Sequence, residues 1–420
     1  MTTSAPKPNK RSPPGKQLLF TEQDMKRLKK QLDKIKPQFE KGGRFQKLHS
    51  VFDGFYTFLY TPNETSASGV HIHDANDSKR TMITVIMALL PCCLFGMWNI
   101  GYQHSLAVGI PEGIFQNFIY GLWAALPNIL VAYIVGLGIE FIFAQLRGHE
   151  IQEGFLVSGL LIPMICPVET PAWMLAVATA FAVIFAKEVF GGTGYNFLNV
   201  ALVTRAFLFF AYPTKMSGDA VFVSLGGDKA IDAFSGATPL GQLASAASDS
   251  APQLTDVAGL PLTLSDMFWG FMPGSWGETS TFCILIGAVI LLATGMASWR
   301  IMLSALIGGV AMSALVHNFA TPLYPATMLG IPEQLCLGGF MFAIVFMATD
   351  PVTACRTNVG KWIYGFLIGT MAIIIRCFNT GFPEGAMLSV LLMNCFAPLI
   401  DYCVVNSNIK RRLSRAGIKS

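Results

Sequence analysis

Charge is scarce in this 420-residue chain. Asp, Glu, Lys and Arg make up only 13% of it, about half the share of an ordinary soluble domain. That shortage excludes a water-soluble globular enzyme as the whole molecule. No partner of nucleic acid is expected. No C-x-x-C occurs among the nine cysteines. They lie in or beside apolar stretches, which favours packing over a disulfide or metal site; a cluster ligated from several helices, or shared with a neighbouring protein, stays open. No dinucleotide fingerprint is present. No two histidines stand at haem-ligand spacing on facing apolar runs, which disfavours a cytochrome. No cleavable signal peptide is expected, because the N-terminus stays polar and basic for some 50 residues.

What the chain has instead is apolar length. It is 53% hydrophobic with a mean hydropathy of +0.52. Runs of about 17–25 apolar residues mark membrane spans. Ten such runs lie near 82–100, 119–146, 155–168, 172–190, 197–212, 280–298, 301–319, 335–350, 361–377 and 385–404. The fold class predicted is an all-α polytopic membrane protein with ten transmembrane helices. Five runs precede a long polar interval and five follow it, so a repeat of odd span number must be inverted. The third and eighth runs are short and end at Pro167 and Pro351. Interrupted helices at matching positions point to a 5+5 inverted repeat with a site near the midplane.

Positive charge sets the orientation. Residues 1–50 carry 13 Lys/Arg against four Asp/Glu, a net of +9 against +4 for the whole chain, which leaves 51–420 at −5. Arg147, Lys187, Arg300, Arg356 and Lys361 fall in one set of connections, and 101–118, 169–171, 320–334 and 378–384 hold no Lys or Arg. The cationic side is cytoplasmic by the positive-inside rule. The predicted organisation is a basic cytoplasmic extension 1–80, a first five-span half 81–212, an external loop 213–279, a second five-span half 280–405 and a basic cytoplasmic tail 406–420. Within the extension, 1–16 read as disordered. Leu18–Phe39 reads as a basic amphipathic helix. Phe52 to Tyr60 forms an aromatic stretch suited to the bilayer interface.

The external loop contains Asp232-Ala233-Phe234-Ser235-Gly236-Ala237-Thr238-Pro239-Leu240. Taken alone, a Ser/Gly/Thr/Pro cluster is an ordinary turn. Thr238 nevertheless offers a hydroxyl that can be esterified to phosphate. Gly236 and Ala237 leave room for a bulky ring, Asp232 and Ser235 complete the polar approach, and Pro239 fixes the backbone beyond.

That motif, the ten runs and several long blocks together resemble the B subunits of the Na+-translocating NADH:quinone oxidoreductases. The blocks include His73-Asp74 with Asp77-Ser78-Lys79-Arg80, His149-Glu150 with Glu153-Gly154-Phe155, and Lys187-Glu188-Val189-Phe190-Gly191-Gly192-Thr193-Gly194. Further matches are Asn196-Phe197-Leu198-Asn199, Arg205 to Pro213, Phe346-Met347-Ala348-Thr349-Asp350-Pro351 and Asn408 to Leu413. The resemblance implies FMN bound covalently through its phosphate to Thr238, placed there by a flavin transferase. It further implies a non-covalent riboflavin, ubiquinone as substrate, and coupling to Na+ export. The setting implied is a six-subunit complex of the bacterial inner membrane, with a second FMN-carrying subunit and NADH oxidised elsewhere in the complex. Both termini would be cytoplasmic and the Thr238 loop periplasmic. The related D-type subunit of the ferredoxin:NAD+ oxidoreductase complex shares the threonine motif but generally lacks the long N-terminal extension. Readings without redox chemistry are a solute channel or transporter, or a membrane scaffold.

Asn196 and Asn199 are expected i, i+3 on one helical face beside Gly191-Gly192-Thr193-Gly194, where the resemblance places riboflavin contacts; the competing expectation is hydrogen bonding between helices. Val200 departs from the family, where a proline is common. Gly136 matches a glycine of the quinone pocket, followed here by Leu137 where the family often has a second glycine. Arg205 is an intramembrane charge, which needs a carboxylate, a phosphate or a wet cavity. Glu140, Asp350 and Asp401 are carboxylates in or at the ends of spans, and Na+ as a hard cation wants oxygen ligands; they are the candidate Na+ residues. The competing expectation for each is a structural partner, such as Arg205, Arg376 or a helix end.

Overall fold

The computed structural model describes residues 78–147, 154–216, 221–231, 234–246, 253–379, 381 and 384–417, together with 30, 32, 34–39, 52 and 56. Among these residues the molecule is helical, and the one isolated bridge pairs Thr255 with Pro261. We number the principal helices α1 (Ser78–Val108), α2 (Ile114–Arg147), α3 (Phe155–Ile165), α4 (Ala172–Ala182), α5 (Val200–Ala211), α6 (Pro239–Ser245), α7 (Leu264–Trp269), α8 (Thr281–Ala293), α9 (Trp299–Asn318), α10 (Ile331–Cys336), α11 (Asn358–Phe378) and α12 (Ala386–Arg415).

Six helical stretches among the described residues are long and apolar enough to cross a membrane: Arg80–Val108, Ile114–Arg147, Ala172–Phe190, Trp299–Asn318, Asn358–Phe378 and Ala386–Arg415. They make the chain a multi-pass membrane protein. The 34 residues of α2 rise about 51 Å, well beyond a hydrocarbon core of about 30 Å. Leu, Ile, Phe and Trp side chains such as Trp123, Ile134 and Phe210 stay exposed on the outside of the body, the surface a bilayer covers. Where α9 and α11 cross, small residues let the backbones meet. A Cβ on Gly369 would lie 2.0 Å from the Ala305 carbonyl oxygen, so only glycine permits that approach.

Four of the ten expected spans are shorter or broken. Helices α3, α5 and α8 have 11, 12 and 13 residues, a rise of about 17–20 Å that falls short of the hydrocarbon core. The eighth run is interrupted: α10 stops at Cys336, Gly338 takes φ +60°, and Phe340–Phe342 leads into a π-helical turn at Ala343–Met347. The fourth run also closes through a π-helical turn, Val183–Lys187. Backbone that leaves a helix at membrane depth must be buried in protein or line a cavity.

The end of α3 shows how this is met. The Met164 carbonyl accepts from the Gly277 N–H at 3.0 Å, and the Ile165 carbonyl accepts from the Ser275 hydroxyl at 3.0 Å. The donors come from the stretch just before α8, which enters the helical body: Ser275, Trp276, Glu278 and Thr279 are all buried. The interval 213–279 is therefore not a surface loop along its whole length. Its end plugs the space left by a short helix.

The earlier part of that interval is fastened to the ends of α1 and α2. The Tyr120 hydroxyl donates to the Ser224 carbonyl at 3.2 Å, His104 stacks on Tyr120 with centroids 3.9 Å apart, and Ile231 N–H donates to Ala107 O at 2.9 Å. This anchors the strand of chain that leads to Thr238. Of the N-terminal extension, a turn at Lys36–Gln38 is described, with Phe39 stacked on Phe52 at 4.5 Å and the Lys36 ammonium 5.3 Å from the Tyr56 ring. Lys30, Leu32, Lys34 and Ile35 before it are helical; the other residues of the expected helix Leu18–Phe39 lie outside the described residues.

Candidate functional site

The three residues Asn196, Asn199 and Asp350, singled out from distant parts of the chain, line one cleft. Lys187, Thr193, Gly154, Leu161, Phe346 and Met82 are also on its wall, and its free interior is about 110 Å³. Pockets that hold small molecules pair apolar walls with a few convergent polar groups, and this cleft has both.

The asparagines do not share a helical face. Helix α5 begins at Val200 and both precede it, a correction to the span start at 197. The cause is local. Gly191, Gly192 and Gly194 have φ of +120°, +94° and +93°, which no helix accommodates. Asn199 then acts as N-cap, its Oδ1 accepting from Ala201 N–H at 3.0 Å and Leu202 N–H at 3.3 Å. Capping is where asparagine is strongest. Its Nδ2 is left to donate to Asp350 Oδ2 at 3.3 Å. Asp350 also accepts from Val352 N–H at 3.0 Å and from the Thr353 hydroxyl at 3.2 Å. Asn196 folds back on its own loop, accepting from Gly194 N–H at 3.3 Å and donating to Leu198 O at 3.0 Å. Thr193 Oγ1 is buried with no hydrogen-bond partner among the described residues. An orphaned hydroxyl on the wall of an apolar cleft is a group waiting for a polar ligand.

Glu140 and Gly136 stand behind this cleft. The Lys187 ammonium donates to Glu140 Oε1, and both are buried. The topological reading puts Lys187 in an inner connection; the structure makes it an internal ion pair instead. The partner of Glu140 is thus neither Arg205 nor Arg376. A Cβ on Gly136 would lie 1.9 Å from the Phe155 ring. Phe155 is fully buried, and its ring lies 5.9 Å from the Lys187 ammonium. Gly136 is therefore a close-packing position between α2 and α3. Leu137, beside it, is partly buried against the core.

Thr238 lies at a second opening. It caps α6, its Oγ1 accepting from Gly241 N–H at 3.1 Å, and it is half-buried. Ser235 is half-buried and Gly236 buried; Asp232 lies outside the described residues. The pocket next to Thr238 is walled by Met272, Gly274, Ser275, Glu278, Thr279, Gly338 and Glu384 and has a free interior of about 20 Å³. That is room for one water-sized particle, not for a tricyclic ring. A flavin joined at Thr238 would have its ring outside this pocket, so the fit there rests on the half-buried acceptor hydroxyl.

Below this pocket Arg205 is buried on α5 and donates from Nη2 to Glu384 Oε2 at 2.8 Å. Of the alternatives open for Arg205, the carboxylate is the one found. Arg376 instead donates to the Gln334 and Leu337 carbonyls. Asp401 sits on α12 and receives three donors from the start of α11: Arg356 N–H at 2.7 Å, Thr357 N–H at 3.1 Å and the Thr357 hydroxyl at 2.5 Å. Among the described residues no group of three or more His, Cys, Asp or Glu is placed to hold a metal ion.

Sequence reasoning did not single out Glu278, Glu384 or Thr193 as individual sites. The signal for Thr193 was its glycine-rich block. For Glu278 and Glu384 none was available, since each reads as an ordinary loop acid.

A family model described as the NQR2, RnfD, RnfE family matches residues 65–410. The chain is 44% identical over 407 residues to the B subunit of the Na(+)-translocating NADH-quinone reductase of Ectopseudomonas mendocina, covering 91% of this chain and 98% of that one. It is 43% identical over 413 residues to the protein of that name from Pseudomonas aeruginosa (strain LESB58), covering 93% and 100%. Against that from Haemophilus influenzae (strain PittEE) it is 43% identical over 414 residues, covering 92% and 99%.

Proposed function

The chain belongs to the NQR2, RnfD, RnfE family, and from that premise we propose that it is the B-type membrane component of a Na+-translocating NADH-quinone reductase. The complex is a translocase that couples electron transfer from NADH to quinone with sodium transport. The observation that carries the reading to this chain's own geometry is the cleft where Lys187, Thr193, Asn199 and Asp350 meet apolar walls.

In this reading the cleft holds riboflavin. Asn196, Asn199 and Thr193 face the polar edge, and Leu161, Phe346 and Met82 pack the ring. Thr238 carries FMN as a phosphoester, with Ser235 and Gly236 shaping the approach to its hydroxyl and Asp232 the loop before it. Flavins supply the electron-transfer chemistry; the protein supplies position and field. Asn199 fixes the start of α5 and holds Asp350, so the carboxylate and the polar wall of the cleft are set by one side chain. Gly136 lets α2 and α3 close behind that wall, the region proposed for ubiquinone.

Three carboxylates are proposed for the sodium route. Asp350 is on the cleft and has only neutral partners among the described residues, which leaves its charge free for a cation. Glu140 is balanced by Lys187 and acts through that pair. Asp401 joins α12 to the start of α11.

The proposed topology has ten crossings in two inverted halves, a bacterial inner-membrane location, cytoplasmic termini and a periplasmic Thr238. The support is the absence of Lys and Arg from four alternate connections and the short or broken third and eighth runs. The proposed partners are the other members of a six-subunit complex, among them a second FMN-carrying subunit, and a flavin transferase. The D-type subunit of a ferredoxin:NAD+ oxidoreductase complex is disfavoured by the near full-length likeness to B subunits of the quinone reductase.

The test is direct. Purified complex is run on a denaturing gel under ultraviolet light, and its acid extract is assayed for free riboflavin. A fluorescent band at the mass of this chain and riboflavin in the extract are expected. A dark band and a flavin-free extract overturn the flavin assignments.

A further inference from the structure

Two carboxylates and one guanidinium lie together beneath Thr238. Glu384 is committed to Arg205 at 2.8 Å. Among the described residues no cation is within salt-bridge distance of Glu278, which is 4% exposed; burial pushes its carboxyl well above the usual carboxylate range, Glu384 adds to that and Arg205 opposes it. Its Oε1 is buried without a hydrogen-bond partner, and so is Oγ1 of the adjacent Thr279, itself 2% exposed. The cluster has one negative charge more than positive. A surplus buried charge is not left bare; it is neutralised by a proton or matched by a cation.

The surroundings favour the cation. Glu278, Thr279 and Glu384 wall the same small pocket, whose free interior is about 20 Å³. Every unpartnered atom Glu278 and Thr279 offer is oxygen, the donor type a hard alkali cation takes. The backbone is also shaped around this carboxylate: a Cβ on Gly339 would lie 2.5 Å from Glu278 Oε2. The short helix α3 is what makes room, because Gly277 and Ser275, just before Glu278, are tied to its last carbonyls.

We propose that Glu278, Thr279 and Glu384 form a site for one monovalent cation, Na+, immediately inside the opening at Thr238. The site adjoins the last turn of α3, whereas the cleft at Asp350 adjoins its first, and in the proposed orientation it faces the periplasm. The inference rests on the sodium-pump reading of the chain. It adds an outward-side station to that route, next to the covalent flavin position.

The experiment titrates NaCl against quinone reduction and against the melting temperature of the assembled, detergent-purified complex. It compares wild type with Glu278→Gln, Thr279→Val and Gly339→Ala, using KCl to hold ionic strength constant. The half-saturating sodium concentration is expected to rise roughly tenfold in Glu278→Gln, as ligand charge sets affinity. A smaller rise is expected in Thr279→Val. Gly339→Ala, which crowds the carboxylate without touching its charge, should move the same way. Covalent flavin fluorescence should persist in all three.

Sodium curves identical to wild type in flavin-replete variants overturn the site. So does a wild-type melting temperature indifferent to sodium but dependent on pH, which identifies a proton at Glu278. If Glu278→Gln fails to assemble, the other two variants decide. A wild-type complex whose quinone reduction ignores sodium refutes the pump reading itself, and so is distinguishable from failure of the site alone.

Discussion

The Lys187 ammonium donates to the Glu140 carboxylate inside the helical body, and each side chain is only 5% exposed. The pair joins α2 to the π-helical turn that follows α4, and Lys187 also lines the cleft. Removing one partner of a buried pair leaves an unpaired charge and costs about 3–5 kcal/mol, whereas replacing both by apolar groups costs far less. Lys187→Met should therefore lower the melting temperature and yield of the complex sharply. Lys187→Met with Glu140→Leu should recover most of the loss. Fluorescence-detected thermal melts in detergent give the comparison. Single and double variants that melt alike would mean the two charges are not energetically coupled.

Asn199 performs two tasks that different substitutions separate. Asn199→Asp keeps an N-cap oxygen but removes the donor to Asp350 and sets two carboxylates face to face. Asn199→Ser keeps the cap and loses only the donor. Losing an N-cap costs about 0.5–2 kcal/mol, so neither variant should unfold the protein. The expected order of retained riboflavin is wild type, then Ser, then Asp. The half-saturating sodium concentration should rise in Asp and Ser together if the amide positions Asp350. An Asn199→Asp complex with full riboflavin and an unaltered sodium curve would remove Asn199 from both sites.

How far the sequence anticipated this arrangement depends on the range of the interaction. Apolar run length is a local property, and each of the ten runs proves helical in whole or part. Thr238 stands in a local motif, and its backbone turn and cap are local too. The cleft is different. It joins residues near 190 to residues near 350, and a pattern in one segment carries no record of the other. The resemblance supplied both blocks, but not that Asn199 reaches Asp350. The register of the asparagines failed because the apolar run continues through Phe197 and Leu198, while three glycines with positive φ hold that stretch out of the helix. Glu278 escaped notice for a similar reason. Between Gly277 and Thr279 it reads as a loop acid, and only the bonds from Ser275 and Gly277 to the end of α3 carry it inside.

Gly136 separates packing from pocket shape. Gly136→Ala pushes a methyl group into the Phe155 ring, and overpacking of this kind typically costs about 1–3 kcal/mol. Phe155 is fully buried beside the Lys187 pair, so the strain has no outlet but a shift of α3 against α2. The expected result is a lower melting temperature together with a raised KM for ubiquinone. The compensating Phe155→Leu should restore the melting temperature. Restoring stability without restoring KM would place Gly136 in contact with the quinone and not merely behind its pocket.

Thr238 serves as helix cap and as proposed flavin acceptor, and these roles respond differently to three replacements. Thr238→Ser keeps the hydroxyl that accepts from Gly241 N–H and keeps a phosphate acceptor. Thr238→Asn keeps a cap but offers no hydroxyl. Thr238→Ala removes both. Cap loss costs about 0.5–2 kcal/mol, and α6 is a short helix of seven residues outside the long membrane helices, so all three proteins should insert and assemble. Fluorescence of the denatured chain is expected in Ser and absent in Asn and Ala. Asn should match wild type in resistance of residues 239–246 to protease, and Ala should be cut faster. Intact mass spectrometry of the chain checks the same point from the other side, by the mass of one FMN moiety lost. Persistent fluorescence in Thr238→Asn would move the acceptor to another hydroxyl of the loop, and Ser235 is the next to replace.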